Sequence, residues 1–176
     1  MLHHHQKVFL DDTVFPTTKP QMNAKNGTIL SETYNLIPGD LTKWSEIIKC
    51  LNEQKLVDYD LPTLFISECC LIYVPWQSSQ EIIISTSKLF KNGVAFSVYE
   101  QILPDDAFGK QMIKNLAERD LKLMSYEKYP TLDEQQNRFL SNGYNVAVAW
   151  DLNRIYREYL DRSETKRIEM IEMFDE

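Results

Sequence analysis

Two carboxylates in this sequence have surroundings that suggest chemistry. Glu68 lies inside Leu64-Phe65-Ile66-Ser67-Glu68-Cys69-Cys70-Leu71-Ile72-Tyr73, an otherwise apolar run. An ionised carboxylate buried in such a run costs several kcal/mol unless it is paired or reaches a ligand. A buried Lys or Arg would answer that cost, and so would a ligand; the run itself does not choose between them. Asp40 follows Gly39 directly after a short apolar stretch. A carboxylate there can accept a hydrogen bond from an exocyclic amine, while the Leu41 N–H can donate to a ring nitrogen. Gly-Asp pairs are more often turns or helix caps, and composition alone favours that role. Tyr73, and Tyr99 with Glu100, end or follow two strand-like runs. Aromatics at such positions usually pack, yet a phenol at the carboxyl edge of a sheet could also orient a substrate carboxylate.

Other familiar chemistries find no support. His3, His4 and His5 are the only histidines and sit at the terminus, where neither a zinc site nor a general base is expected. Cys50, Cys69 and Cys70 form no CxxC pair; adjacent Cys69 and Cys70 fall in the apolar run, where packing is the expected role. Gly27, Gly39, Gly93, Gly109 and Gly143 are too far apart for a glycine-rich phosphate or dinucleotide loop. No catalytic residue and no metal ligand is identified on these grounds.

The elements that would position these residues are legible in outline. A length of 176 residues suits one domain with a real core, and 43% apolar with 26% charged residues is ordinary for a globular protein. A formal charge of −7 argues against nucleic acid or an anionic membrane as a partner. No apolar stretch approaches the roughly 20 residues of a membrane helix, and no signal peptide is apparent, so a reducing, cytoplasmic setting is expected.

Residues 1–27 read as a polar tail or loop, interrupted by Pro16, Pro20 and Gly27. Thr28–Leu30 and Tyr34–Ile37 suggest a small strand pair. After Pro38-Gly39, the spacing of Leu41, Trp44, Ile47, Ile48 and Leu51 is helical, with Thr42 available as a cap. Thr63–Val74 is a nearly continuous apolar run, which suits a strand buried on both faces. A helix from Gln80 to about Lys91, capped by Ser78 or Ser79, then leads to strand character over Val94–Gln101. Strand, helix, strand is the signature of a parallel α/β sheet. Further helical spacing runs through Phe108, Met112, Ile113 and Leu116, and Thr131 with Glu134 matches a capping box. Gly143 sits where a helix-terminating glycine belongs, Val146–Trp150 alternates as a short strand, and Asp151 caps a helix. A last helix starts near Ser163.

Several spaced motifs then point to one family. Leu61-Pro62-Thr63-Leu64 leads into Ser67-Glu68-Cys69-Cys70-Leu71-Ile72-Tyr73, preceded by Pro38-Gly39-Asp40-Leu41. Downstream come Tyr99-Glu100-Gln101, the stretch from Asp106 to Leu116, Leu140-Ser141-Asn142-Gly143-Tyr144, and Arg167-Ile168-Glu169. In this order they resemble the leucine carboxyl methyltransferases over roughly residues 28–176. The resemblance implies a class I S-adenosylmethionine-dependent methyltransferase (Rossmann-like) α/β fold. Residues 28–176 would be the C-terminal part of that domain, lacking its first strands and its last.

Carried over residue by residue, the resemblance implies that Asp40 and Leu41 contact the adenine of S-adenosylmethionine. Glu68 would line the cofactor site near the methionine end, and Tyr73, Tyr99 and Glu100 are candidates for the substrate side. The implied partner is the C-terminal tail of the protein phosphatase 2A catalytic subunit, methylated on its terminal leucine carboxylate. The family's glycine-rich cofactor loop and its ribose-binding acid precede the matched stretch and have no counterpart in residues 1–27. Two alternatives remain: a relative of the wybutosine-forming tRNA methyltransferases, or a non-catalytic fragment that only binds a partner.

Overall fold

Asn26-Gly27 turns the chain between two short strands, β1 (Gln21–Asn23) and β2 (Thr28–Leu30). Gly27 takes φ +72°, a left-handed conformation that costs glycine nothing, and the Asn26 side chain accepts from both the Thr28 N–H and its hydroxyl. β3 (Asn35–Leu36) pairs antiparallel with the other side of β2. The computed structural model describes residues 20–171.

The expected pairing of the stretches around Thr28 and Asn35 is therefore present, but the polar tail is not tail throughout. Gln21–Asn23 is a strand because β2, just across the Asn26-Gly27 turn, takes up its backbone groups, a partner that three polar residues do not announce. A first compact unit runs to Asp60 and a second begins at Leu61. The first unit also holds the 3₁₀ turn Leu41–Lys43 and helix α1 (Trp44–Glu53). Its cap is Asp40 rather than Thr42, whose N–H and hydroxyl both donate to the Asp40 carboxylate.

The second unit carries the parallel pair. β4 (Thr63–Glu68) and β5 (Val94–Tyr99) run in register from Thr63 opposite Val94 to Glu68 opposite Tyr99. Helix α2 (Trp76–Leu89) makes the crossover between them. It starts earlier than its serines suggest. Pro75 stands at the N-cap, and Ser79 is fully buried with its hydroxyl donating back to the Trp76 carbonyl at 2.9 Å.

β4 is neither as long nor as buried as its composition implies. Cys69, at φ +45°, ends the strand, and Leu71–Tyr73 forms a 3₁₀ turn whose Leu71 and Ile72 are buried. Along β4 the side chains alternate. Phe65 and Ser67 face inward, whereas Leu64 and Glu68 are exposed and Ile66 is 75% exposed. A long apolar run does not reveal which of its faces lies open; that depends on which layers are packed against it.

The inward face makes the core. Phe65 stacks on Phe96 at 5.4 Å between ring centres and meets Phe90 edge-on. Phe96 touches Phe139 and Tyr144, which meet each other edge to face. These last two come from helix α4 (Leu132–Leu140) and the turn after it. α4 begins with the expected capping box, Thr131 and Glu134 each bonding the other's backbone N–H. Helix α3 (Ala107–Ala117) precedes it, with Asp106 accepting from the Gly109 N–H.

Gly143 takes φ +102° just past the end of α4. A β-carbon there would stand 2.5 Å from the Ser87 hydroxyl of α2, so glycine is needed both for the turn and for the contact. Val146–Trp150, expected as a short strand, forms no strand among the described residues. Helices α5 (Leu152–Glu158) and α6 (Arg162–Glu169) follow, capped by Asp151 and Asp161.

Candidate functional site

The carboxyl ends of β4 and β5 bring four of the candidate residues to one edge of the second unit. The register sets Glu68 beside Tyr99, both exposed on the same face. Tyr73 follows on the 3₁₀ turn and is also exposed. The Cys69 N–H continues the ladder to the Tyr99 carbonyl at 2.8 Å, which fixes the spacing of the two strand ends. In a parallel sheet this edge is where ligands gather, because the strands end there and their helices have not yet begun.

Glu68 does not stand in the apolar burial that its sequence context suggested. It points to the open face of the sheet, and the carboxylate is available to a cationic or hydrogen-bond-donating ligand.

Glu100 behaves in the opposite way. Its side chain is only 3% exposed and pairs with Arg138 of α4, which is fully buried, at 3.0 Å. Burial pushes its carboxyl above the usual carboxylate range, against the pull of Arg138. A carboxylate so enclosed is not presented to a substrate, and the expectation that Glu100 lies on the substrate side has no geometric support.

Arg138 is a residue that sequence reading passed over. Its guanidinium lies over the Tyr129 ring at 4.6 Å and donates to the Gln135 side chain, while its carbonyl accepts from Asn142. Asn142 in turn accepts from Gln80 of α2 at 3.0 Å. The result is a buried polar network joining α2, α4 and the end of β5. Burial also raises the Cys70 thiol above its ordinary value, with the Glu100 charge adding to the effect.

Asp40 and Leu41 belong to the first unit. Asp40 is an exposed cap, both hydrogen bonds from Thr42 fall on its Oδ1, and they hold its carboxyl below the usual range. This is the cap role that composition favoured, and it leaves Oδ2 outside both bonds. The N-terminal histidines lie outside the described residues. Among the described residues, no group of three or more His, Cys, Asp or Glu is placed to hold a metal ion. No helix among them is long and apolar enough to cross a membrane.

Beside β5 lies a trough of about 790 Å³ whose lining includes Val98, Phe108, Met112, Ile155 and the Val146–Trp150 stretch. It is predominantly apolar, with Gln101 and Gln135 also in its lining.

The second unit is a mixed α/β arrangement around a parallel strand pair, with an exposed carboxylate and two tyrosines at its carboxyl edge. Sequence comparison narrows that class. The chain is 44% identical over 155 residues to a leucine carboxyl methyltransferase 1 homolog of Arabidopsis thaliana, covering 88% of this chain and 46% of that protein. It is 37% identical over 143 residues to leucine carboxyl methyltransferase 1 of Caenorhabditis elegans, covering 81% and 42%. It is also 34% identical over 146 residues to human tRNA wybutosine-synthesizing protein 4, covering 83% and 21%. No family model matches. The chain belongs to the leucine carboxyl methyltransferase family, and it spans about half the length of the two methyltransferase 1 relatives.

Proposed function

We propose that these residues are part of an S-adenosylmethionine-dependent methyltransferase of class I fold. Its acceptor is the C-terminal leucine carboxylate of the protein phosphatase 2A catalytic subunit. The 44% identity to a leucine carboxyl methyltransferase 1 homolog over 88% of the chain carries this reading. The strand, helix, strand order with Glu68 and Tyr99 side by side at the carboxyl edge agrees with it.

The residues present fit such a donor in kind. Glu68 is an exposed carboxylate suited to an ammonium or hydroxyl group near the methionine end. S-adenosylmethionine supplies a methyl group on a sulfonium, which a carboxylate oxygen can take by direct displacement. The acceptor is already ionised at neutral pH, so no residue has to remove a proton. The protein's own contribution is alignment and exclusion of water, with Tyr73 and Tyr99 as candidate donors to the acceptor carboxylate.

Titration with S-adenosylmethionine tests the reading. Micromolar binding by the wild type, weakened at least tenfold in Glu68→Ala, is the expected result, in keeping with the loss of a charged hydrogen-bond acceptor. A wild type that binds no donor would overturn the assignment of Glu68 in this chain.

A second reading is transfer to tRNA, favoured by the 34% identity to tRNA wybutosine-synthesizing protein 4. The net charge of −7 works against binding a polyanion. Methyl incorporation into tRNA with none into the phosphatase subunit would reverse the order of the two.

A further inference from the structure

Two parallel strands that end together leave two loops at one edge, and a site built there needs those loops held in one arrangement. Each strand here is followed by a non-glycine residue in a left-handed conformation. Cys69, directly after β4, takes φ +45°, and Leu103, four residues beyond β5, takes φ +60°. Such conformations persist where the surroundings over-determine them. Both loops are gripped by one short segment, Ser125–Pro130, which contains the 3₁₀ turn Tyr126–Lys128.

Ser125 grips the loop after β4. Its N–H donates to the Ile72 carbonyl at 3.1 Å, and its hydroxyl donates to the Val74 carbonyl at 2.7 Å. Tyr73 is the residue between those two carbonyls. Its backbone is therefore fixed on either side, while its side chain stays exposed. Ser125 itself is 2% exposed, so water does not compete for these bonds.

Tyr126, the next residue, grips the loop after β5. It is buried, and its hydroxyl donates to the Ile102 carbonyl at 3.0 Å. The Leu103 N–H donates to the Pro130 carbonyl at 2.8 Å. Helix α3 closes on the same point. A β-carbon at Gly109 would lie 2.6 Å from the Leu103 carbonyl oxygen and 3.0 Å from the Tyr126 hydroxyl, so the approach requires glycine. Four hydrogen bonds from one short segment thus join the two loops at the carboxyl edge.

We propose that Ser125 and Tyr126 are positioning residues. Ser125 sets the backbone that carries Tyr73, and Tyr126 locks that turn to the loop after β5. Together they present the Tyr73 phenol at the edge that also holds Glu68 and Tyr99. The brace stands on its hydrogen bonds; its part in ligand binding rests on the acceptor reading above, in which Tyr73 donates to a terminal carboxylate.

Three variants separate positioning from simple stability. Ser125→Ala removes the bond to Val74, and Tyr126→Phe removes only the bond to Ile102 while keeping the buried ring. Thr86→Val is the control. It removes a fully buried hydroxyl bonded to the Ile82 and Ile83 carbonyls, near the end of α2 that leads into β5 and away from the carboxyl edge. Each is compared with the wild type by thermal unfolding, by hydrogen exchange of the Tyr73 amide, and by titration with a peptide ending in a free leucine carboxylate. All three are expected to melt below the wild type. Tyr73 exchange should be about fivefold faster, and peptide binding about fivefold weaker, in Ser125→Ala and Tyr126→Phe than in Thr86→Val. A general loss of stability would move all three alike, so the difference from the control is the signature of positioning. Tyr73 exchange no faster in Ser125→Ala than in Thr86→Val would overturn the brace, and Tyr126→Phe decides the same point if the alanine variant does not fold. Faster exchange with unchanged peptide affinity would leave the brace standing and overturn its role in binding. A wild type that binds no peptide would defeat the acceptor reading and the binding role with it, while the exchange data still decide the brace.

Discussion

The two faces of the β4–β5 pair differ sharply. One face, with Phe65, Ser67, Phe96 and Val98, is packed under Phe90, Phe139 and Tyr144. The other, with Leu64, Ile66, Glu68, Ala95, Ser97 and Tyr99, is open. Both faces are built from the same two stretches of sequence, in alternate positions. The packed face is aromatic, and its neighbours hold the polar network around Arg138. The open face presents the carboxylate and the phenol. Apolar character in a strand thus reports that the strand exists, and only its covering layer decides whether a given residue is core or surface.

Breaking the packed side should have the largest effect. Arg138→Met leaves Glu100 buried without its counter-charge, and a loss of about 3–5 kcal/mol in unfolding free energy is expected at neutral pH. The sign of its pH dependence follows from Glu100. A carboxyl already raised by burial and then deprived of Arg138 is most stable when protonated. Stability is therefore retained below the ordinary carboxylate range and lost as pH rises through the raised value. Denaturant unfolding of the variant at acid and neutral pH should show the deficit shrinking in acid; a deficit independent of pH would mean that Glu100 is not the group left behind.

A smaller effect is expected at the turn that leads off the same side. Gly143→Ala forces a β-carbon into a left-handed position and against Ser87, at a cost of about 1–3 kcal/mol. Its melting temperature should fall, while Gly93→Ala, with φ +118° but open space around it, separates the conformational part from the clash.

The smallest effect belongs to the open face. Ile66→Thr changes a residue that is 75% exposed, so its stability should stay within about 0.5 kcal/mol of the wild type. Light scattering at high concentration should show less self-association, because an exposed apolar row is a site for sticking. A loss of several kcal/mol there would mean that the face is covered in solution.

What was legible in the sequence was mostly local. The Thr131–Glu134 capping box, the Asp151 cap and the strand, helix, strand order each depend on residues a few positions apart, and each is present. Family motifs carried the recognition. The misreadings share a different cause. Glu68 was judged buried because its neighbours in sequence are apolar, although its neighbours in space leave its face open. Gln21–Asn23 and Val146–Trp150 exchanged roles because strand pairing depends on a partner and not on alternation alone. Glu100 was assigned by its place after a strand, whereas its true partner, Arg138, stands 38 residues away with no local signal. Asp40 was read with both of its roles open, and the cap is the one its geometry displays.

The trough beside β5 has a calorimetric consequence. Phe108, part of its lining, is 75% exposed in the folded state, so unfolding hydrates it little further. Heat-capacity change on unfolding follows newly exposed apolar surface, and ordinary domains show about 12–15 cal/mol/K per residue. A chain with this trough and one uncovered sheet face falls below that range, and its stability curve is correspondingly flat. It gains less at its temperature of maximum stability than a fully packed sheet would, and it gives up less on cooling.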